Sequence, residues 1–140
     1  MRMIFVNLPV KSVGVTRKFF GALGFEFNPQ FSDDHTACMI IDENIFAMFL
    51  EHGRFKDFIT GEISDATKAT EVLTCLSADS RAEVDDLLKK ALAGGGKAWK
   101  PILEMGPMYG ASFQDPDGHV WELMYMDQAA MAEMGEAATA

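Results

Sequence analysis

The strongest indication of the fold in this sequence is Asp115-Pro116-Asp117-Gly118-His119-Val120-Trp121-Glu122-Leu123. Proline presets the φ angle of one turn position and glycine accepts the positive φ of another, so the first four residues predict a tight hairpin turn. The turn joins a strand at Tyr109–Gln114 to a strand at His119–Met126. On the second strand, Val120, Glu122 and Met124 share one face because side chains alternate along a strand.

Outward from this hairpin, one order of elements occurs twice. Residues 3–51 and residues 70–127 each read as a strand, an amphipathic helix and three strands, and the second copy begins about 67 residues after the first. In the second copy, a strand is predicted at Thr70–Ser77, and a helix follows it. Ser80 and Glu83 form a capping box at the start of this helix, and Gly94 ends it. A last trio of strands is predicted at Lys97–Ile102, Tyr109–Gln114 and His119–Met126.

The first copy follows the same order. A strand at Met3–Val10 leads to a helix that Ser12 caps and that Gly24 ends in a left-handed turn. Its three further strands are predicted at Phe25–Phe31, Thr36–Asp42 and Ile45–Leu50. Residues 51–68 are expected to be an ordered connection with a short helical turn. Residues 128–140 are a C-terminal tail, either helical or frayed. The fold class is α+β, with one domain at residues 1–127 made of two βαβββ modules.

Composition excludes several classes of partner. The chain has 140 residues, 12 basic and 21 acidic, for a formal net charge of −9. Such a charge repels phosphate backbones and anionic lipid, so neither nucleic acid nor membrane is an expected partner. No secretory signal or membrane-length apolar stretch is visible. Cys38 and Cys75 lie in apolar stretches outside any CxxC pair, which favours two reduced core thiols and a cytoplasmic location.

Three further stretches join the first one in a family resemblance: residues 5–10 (FVNLPV), residues 19–25 (FFGALGF) and residues 108–110 (MYG). Together they resemble the vicinal oxygen chelate superfamily of glyoxalase I, extradiol dioxygenases and bleomycin-resistance proteins. The likeness is greatest to the glyoxalase-like branch named "predicted lactoylglutathione lyase". It covers residues 3–127. It implies that the two modules form a curved mixed sheet with a concave ligand cup, that the ligand is a small molecule, and that the chain forms a homodimer.

The resemblance also implies where a metal would be held, with one residue from each of four strands. Those positions carry Phe5, then Ala47 or its neighbour Met48, then Leu73, and finally Glu122. Only Glu122 is an expected ligand, since the other side chains cannot hold a hard or borderline divalent cation. We therefore expect no metal site and no cofactor. An atypical oxygen site made of Asn7, Glu71 and Glu122 is the disfavoured alternative.

Strand alternation gives an inventory of the predicted cup. Phe5 shares a face with Asn7, Ala47 with Phe49, and Glu71 with Leu73, Cys75 and Ser77. The candidate catalytic residue is Glu122, a carboxylate that could move a proton beside a substrate carbonyl. The candidate ligand-binding residues are Phe5, Asn7, Phe49, Glu71, Tyr109 and Met124. Alternatives stay open: Glu71 as an exposed strand-end charge, Asn7 bonded to a neighbouring strand, and Glu122 as a carboxylate held by the protein itself.

Three functions fit these residues. The first is a glyoxalase-like or dioxygenase-like enzyme, such as a lyase or isomerase of a small carbonyl or glutathione-linked substrate, with Glu122 as its base. The second is a metal-free protein that sequesters an aromatic or cationic antibiotic, as bleomycin-resistance proteins do. The third is a structural or regulatory dimer with a vestigial pocket. His119 is expected to be structural, while His35 and His52 are expected to lie in solvated loops.

Overall fold

The computed structural model describes residues 1–139. The chain divides into two compact units: residues 1–71 with the turn Pro116–Gly118 form unit 1, and Val72–Asp115 with the chain from His119 onward form unit 2. Each unit combines one mixed sheet with helices, so the predicted α+β class and the doubled strand–helix–strand order are confirmed.

Unit 1 contains four strands and two helices, at β1 Ile4–Val10, α1 Val13–Ala22, β2 Glu26–Phe27, β3 Thr36–Asp42, β4 Ile45–Glu51 and α2 His52–Lys56. The sheet order is β1-β4-β3-β2, with β1 parallel to β4 and the other pairs antiparallel. The strand predicted at Phe25–Phe31 is wrong beyond Phe27. There the Asn28 side chain accepts from Gln30 N at 2.9 Å and starts a 3-10 turn at Pro29–Phe31, where proline offers no strand donor.

The core of unit 1 lies between its sheet and α1. Phe20 stacks on Phe49 with ring centroids 5.2 Å apart, and both rings are almost fully buried. The helix starts where expected, since the Ser12 hydroxyl accepts from Val15 N at 3.4 Å. It ends before Gly24, whose φ of 103° is the predicted left-handed turn.

Unit 2 contains five strands and two helices, at β5 Leu73–Ser77, α3 Arg81–Ala93, β6 Lys97–Ala98, β7 Leu103–Met105, β8 Met108–Gln114, β9 Val120–Met126 and α4 Gln128–Thr139. The order is β5-β9-β8-β6, and the short β7 pairs with β8. The strand predicted at Lys97–Ile102 is too long, since it ends ahead of Pro101, and β7 is an addition. The described part of the tail, residues 128–139, is helical at α4, which is one of the two alternatives left open above; residue 140 lies outside the described residues.

The core of unit 2 lies between α3 and one face of the β8–β9 hairpin. Trp121 and Leu123 are buried on that face, and Val84 is buried on the helix. The capping box of α3 forms in part as predicted: Ser80 Oγ accepts from Glu83 N at 3.0 Å. Glu83 Oε1 accepts at 3.0 Å from Asp79 N, one residue before the N-cap, and not from Ser80 N.

Two predictions about the whole sequence can be compared with the structure. No helix among residues 1–139 is both long and apolar enough to cross a bilayer. Both cysteines are free thiols, and Cys38 is buried as expected, but Cys75 is exposed. The apolar residues around Cys75 were therefore a poor guide, because alternation along β5 places the thiol on the face of the strand away from the core.

Candidate functional site

One face of the sheet in unit 2 carries the predicted acid. Since Trp121 and Leu123 point toward α3, Glu122 and Met124 lie on the opposite face of β9. The strand registers give each a partner on both sides: Cys75 and Ser112 flank Glu122, and Ser77 and Gly110 flank Met124. We call this surface the Glu122 face, and it comprises Leu73, Cys75, Ser77, Gly110, Ser112, Glu122 and Met124.

Glu122 is half-buried on this face. No donor within the described residues 1–139 makes a hydrogen bond to its carboxylate. Its neighbour Ser112 is buried, and the Ser112 hydroxyl accepts from Lys100 N at 3.0 Å. A half-buried carboxylate that the protein does not bond to itself has the capacity to receive a donor group from a ligand. The alternative that Glu122 is held by backbone or tyrosine hydroxyl bonds is therefore wrong.

The thiol beside this carboxylate stays protonated at neutral pH. Burial, and then the negative charge of Glu122, raise the pKa of Cys75 above its ordinary value. Leu73, in register with Val120 on the same strands, contributes an exposed apolar side chain to the face. The surroundings of Glu122 thus combine a neutral thiol with apolar groups. This is the usual composition of a small-molecule site, in which few polar groups fix the ligand's orientation.

Ser112 and Gly110 were missed by the sequence reasoning. The strand at Tyr109–Gln114 was predicted, and its alternation with respect to Glu122 across the hairpin would have placed both residues on the acid's face. The interpretation instead selected Tyr109, whose hydroxyl donates to Asp85 Oδ1 of α3 at 2.6 Å. Tyr109 therefore lies on the α3 side of β8, opposite to Glu122. The hydrogen bond raises the pKa of Tyr109, with burial and nearby acids as smaller causes.

The sheet of unit 1 carries the remaining candidates. Phe5 is partly exposed and stacks on Phe46 with centroids 4.9 Å apart. Asn7 is exposed, and its Nδ2 donates to the carbonyl oxygen of Phe5 at 3.1 Å, so its amide bonds within its own strand. The parallel register pairs Phe5 with Phe46 and Asn7 with Met48.

That register corrects the predicted inventory by one residue. Ala47 and Phe49 pair with Val6 and Leu8, which occupy the opposite face of β1 from Phe5 and Asn7. Phe49 is fully buried against Phe20 of α1, so it is a core residue and is not on the face of Asn7. A slip of one position moves a side chain to the other side of a sheet, which is why the sequence alone did not decide between Ala47 and Met48.

Glu71 lies outside the strand to which it was assigned. β5 begins at Leu73, and Glu71 precedes it as an exposed residue at the end of unit 1. Alternation therefore cannot place Glu71 on the face of Leu73 and Cys75. This favours the alternative of an exposed charge beside the strand.

The residues at the four metal positions of the resemblance do not fit a divalent cation. With the register corrected, these positions hold Phe5 and Met48 in unit 1 and Leu73 and Glu122 in unit 2. Only Glu122 offers an oxygen ligand, whereas hard cations need several. Among the described residues, no group of three or more His, Cys, Asp or Glu side chains is arranged to hold a metal ion.

His35 lies in an exposed loop, as expected, and it also forms a bonded pair in unit 1. His35 Nδ1 lies 2.8 Å from Glu51 Oε1, and Glu51 Oε2 accepts from Val13 N at 3.0 Å. His119, in contrast, is buried as a structural residue of the hairpin, as expected. The only hint of the His35–Glu51 pair in the sequence is that both residues border predicted strands.

Comparison with known proteins identifies the family. The model of the "Glyoxalase/Bleomycin resistance protein/Dioxygenase superfamily" matches residues 2–123. No curated protein sequence resembles the chain closely enough to count as a match.

Solved structures agree with this fold. A hypothetical protein, SA1046, from S. aureus has 27% sequence identity to this chain and a TM-score of 0.76. The match covers 89% of this chain and 94% of that protein. A family enzyme from Burkholderia phytofirmans is 17% identical, with a TM-score of 0.74 and coverages of 91% and 100%. The fosfomycin resistance protein FosX of Listeria monocytogenes, solved with Mn(II) and a sulfate ion, is 18% identical, with a TM-score of 0.68 and coverages of 95% and 96%. Since the family model spans most of the sequence, this chain belongs to the glyoxalase/bleomycin resistance protein/dioxygenase superfamily.

Proposed function

We propose that this chain binds a small organic molecule on the Glu122 face, and that the Glu122 carboxylate receives a cationic or hydrogen-bond-donating group of that ligand. The single observation that carries the proposal is the half-buried Glu122 carboxylate, to which no described residue donates. Its flanking residues, Cys75 and Ser112, bring no positive charge. A donor from a ligand would therefore gain a charge-assisted hydrogen bond that the protein itself does not make.

The ligand class follows from the charge and the surroundings of the site. The net charge of −9 attracts cations and repels anions at long range. Leu73 and Met124 on the same face offer apolar contact beside the acid. An amine that carries an aliphatic or aromatic group satisfies both conditions, so the proposal is a metal-free protein that binds or sequesters such compounds.

A second candidate is catalytic. A carboxylate placed beside a bound carbonyl compound can take a proton from the adjacent carbon, which is the step expected of a glyoxalase-like lyase or isomerase. The family match supports this candidate as one of several activities, but a shared fold does not fix the reaction. FosX was solved with Mn(II). Among the four metal positions that the family resemblance implies in this chain, only Glu122 offers an oxygen ligand to a divalent ion.

Binding is tested with three compounds of the same shape: benzylamine, benzyl alcohol and benzoate. Titrations followed by amide NMR shifts are expected to show benzylamine bound most tightly and benzoate least tightly. The substitution Glu122→Gln keeps the shape of the side chain and removes its charge. It should weaken benzylamine binding by about tenfold and leave benzyl alcohol within about twofold. Equal binding of benzylamine by the wild type and the variant would overturn the proposal.

Cys75 provides an independent reporter. It is the exposed thiol of the Glu122 face, and Cys38 is fully buried. Alkylation by iodoacetamide is therefore expected at Cys75, at a rate that falls when bleomycin or benzylamine is bound. The variant Cys75→Ser identifies the site of labelling. Alkylation that these compounds do not slow, at concentrations that shift the amide signals, would place their binding away from Glu122.

Metal analysis and an activity assay distinguish the two candidates. Protein purified without chelator is expected to carry less than stoichiometric metal. It is also expected not to turn over the methylglyoxal–glutathione hemithioacetal with added nickel, zinc or manganese. Stoichiometric metal with turnover that Glu122→Gln abolishes would establish the catalytic candidate instead. We further propose a homodimer in the cytoplasm, and light scattering during gel filtration tests the dimer.

A further inference from the structure

Met124 lies directly over Gly110 on the Glu122 face. A Cβ atom built on Gly110 would lie 2.7 Å from Met124 Cε and 2.8 Å from Met124 Sδ. These distances are shorter than any real contact of a Cβ atom, so the end of the methionine side chain occupies the volume that a side chain at position 110 would need. Because Gly110 has no side chain, a space remains on β8, and the thioether of Met124 occupies it.

The other neighbour of Met124 is also small. The register of β9 with β5 pairs Met124 with Ser77, which is exposed. Gly110 and Ser77 thus flank Met124 across neighbouring strands, which lie about 4.8 Å apart. Methionine is unbranched and has three rotatable bonds, so it repacks at low cost where its neighbours leave room. The Met124 side chain is half-buried, and its neighbour Ser77 is exposed.

We propose that Met124 is an adjustable wall of the ligand site, and that Gly110 is the residue that lets it withdraw. Met124 and Glu122 are two positions apart on one face of β9, so the wall stands beside the carboxylate. Over Gly110, the side chain leaves the surface near Ser77 and Glu122 open to the apolar group of a ligand. Displaced toward Ser77, it covers that surface. The pair sets the size of apolar group accepted beside the amine, and this inference rests on the proposed function.

The test compares the binding of n-butylamine with that of n-octylamine in four proteins: wild type, Met124→Ala, Gly110→Ala and the double variant. Removing the wall is expected to favour octylamine, by roughly fourfold for each further methylene that becomes buried. Gly110→Ala should push Met124 outward and weaken octylamine more than butylamine. In the double variant this penalty should disappear, because the residue that alanine displaces is absent.

The thermal midpoints of the same four proteins provide a readout that needs no ligand. Gly110→Ala should lower the midpoint by a small amount in the presence of Met124, because the end of this flexible side chain moves at low cost, and by less still beside Met124→Ala. A small residual effect is expected there, since the added Cβ also lies 3.0 Å from the Leu123 carbonyl oxygen. If Gly110→Ala lowers the midpoint equally with Met124 and with Met124→Ala, Met124 does not occupy the space over Gly110, and the inference is overturned.

Failure of the inference differs from failure of the proposed function. If octylamine and butylamine bind the wild type, and Glu122→Gln weakens both, the carboxylate site exists. An octylamine-to-butylamine ratio that is then unchanged by Met124→Ala and by Gly110→Ala overturns the adjustable wall alone. If neither amine binds the wild type, or if Glu122→Gln has no effect, the proposed function and the inference fail together.

Discussion

The indole Nε1 of Trp121 donates a hydrogen bond to Asp115 Oδ2 at 3.0 Å, and both side chains are buried. The other carboxylate oxygen of Asp115 accepts from His119 N at 3.0 Å, and Asp115 N donates to the His119 carbonyl oxygen. One carboxylate therefore closes the β8–β9 hairpin and fixes the ring on its core face. Fixing Trp121 toward α3 also fixes Glu122 on the opposite face, so the stretch at residues 115–123 positions the candidate site.

Replacing Asp115 tests this role. Asp115→Ala leaves a buried indole N–H and a buried backbone N–H without this acceptor, and each such loss costs about 1–3 kcal/mol. We expect the free energy of unfolding, measured in urea, to fall by about 2–4 kcal/mol. Asp115→Asn retains one acceptor oxygen and should lose about half as much. A loss below about 0.5 kcal/mol for Asp115→Ala would show that the hairpin does not depend on this carboxylate.

Gly118 requires glycine for two separate reasons. Its φ is +88°, and a Cβ would lie 2.9 Å from Thr67 N and 3.0 Å from Ala66 C, which are backbone atoms that cannot rotate away. Gly95 has a similar φ of +106° and nothing within 4 Å of its Cβ position. Gly95→Ala is therefore expected to cost about 1–2 kcal/mol of unfolding free energy from backbone strain alone.

Gly118→Ala should cost about 1–3 kcal/mol more than this control, because overpacking adds to the strain. Urea unfolding of both variants gives the difference. Equal costs at the two positions would mean that the turn does not pack closely on Ala66 and Thr67. The measurement also bears on the connection at residues 51–68, since an ordered connection was predicted there and Gly118 closely approaches its backbone at Ala66 and Thr67.

Tyr109 lies on the α3 side of β8, so a variant at this position tests whether ligand binding is confined to the opposite face. Tyr109→Phe removes the solvent-exposed hydrogen bond to Asp85 and should lower the unfolding free energy only slightly. Because the ring lies on the α3 side, the affinity for benzylamine should change less than about twofold, where Glu122→Gln weakens it about tenfold. A large loss of benzylamine binding in Tyr109→Phe would return this residue to the ligand site, where the sequence analysis placed it.

The sequence predicted the elements well because strong local signals start and end them. Ser12 and Ser80 cap their helices, Gly24 ends the first helix, and the turn at Asp115–Gly118 forms the hairpin. The sequence did not predict features that depend on a shift of one residue in the register between strands. Whether Ala47 or Met48 shares a face with Asn7 depends on the register between β1 and β4, which are far apart in the chain.

The candidate site shows the same limit. Glu122 was identified because it lies directly in the stretch that carries the family resemblance. Gly110 has no side chain to attract notice, and its importance depends on the conformation of Met124 on another strand. The His35–Glu51 pair needed two strand ends and a helix start to be brought together, and no local pattern encodes that. Such tertiary contacts override or complete what propensity specifies.

This last pair predicts how stability depends on pH. The hydrogen bond and charge of Glu51, with smaller effects of Asp33 and Asp34, raise the pKa of His35 above 6.5. The hydrogen bond from His35, then that from Val13 N, lower the pKa of Glu51 below 4.5. A raised histidine pKa stabilises the fold fully below pH 6.5, and this contribution is lost as the pH rises through the raised pKa. A lowered carboxylate pKa contributes above pH 4.5, and its effect is lost as the pH falls through the lowered pKa.

The pair should therefore contribute most between pH 4.5 and pH 6.5. Glu51→Gln keeps an acceptor for Val13 N and removes the charge, so the NMR-detected pKa of the His35 imidazole should fall back toward 6.5. The difference in unfolding free energy between wild type and variant should be largest within that window and should shrink on both sides. The control Asp34→Asn removes a nearby charge without breaking the pair, and should move the pKa of His35 less. An unchanged His35 pKa in Glu51→Gln would show that the pair does not persist in solution, where 69% of the His35 side chain is exposed.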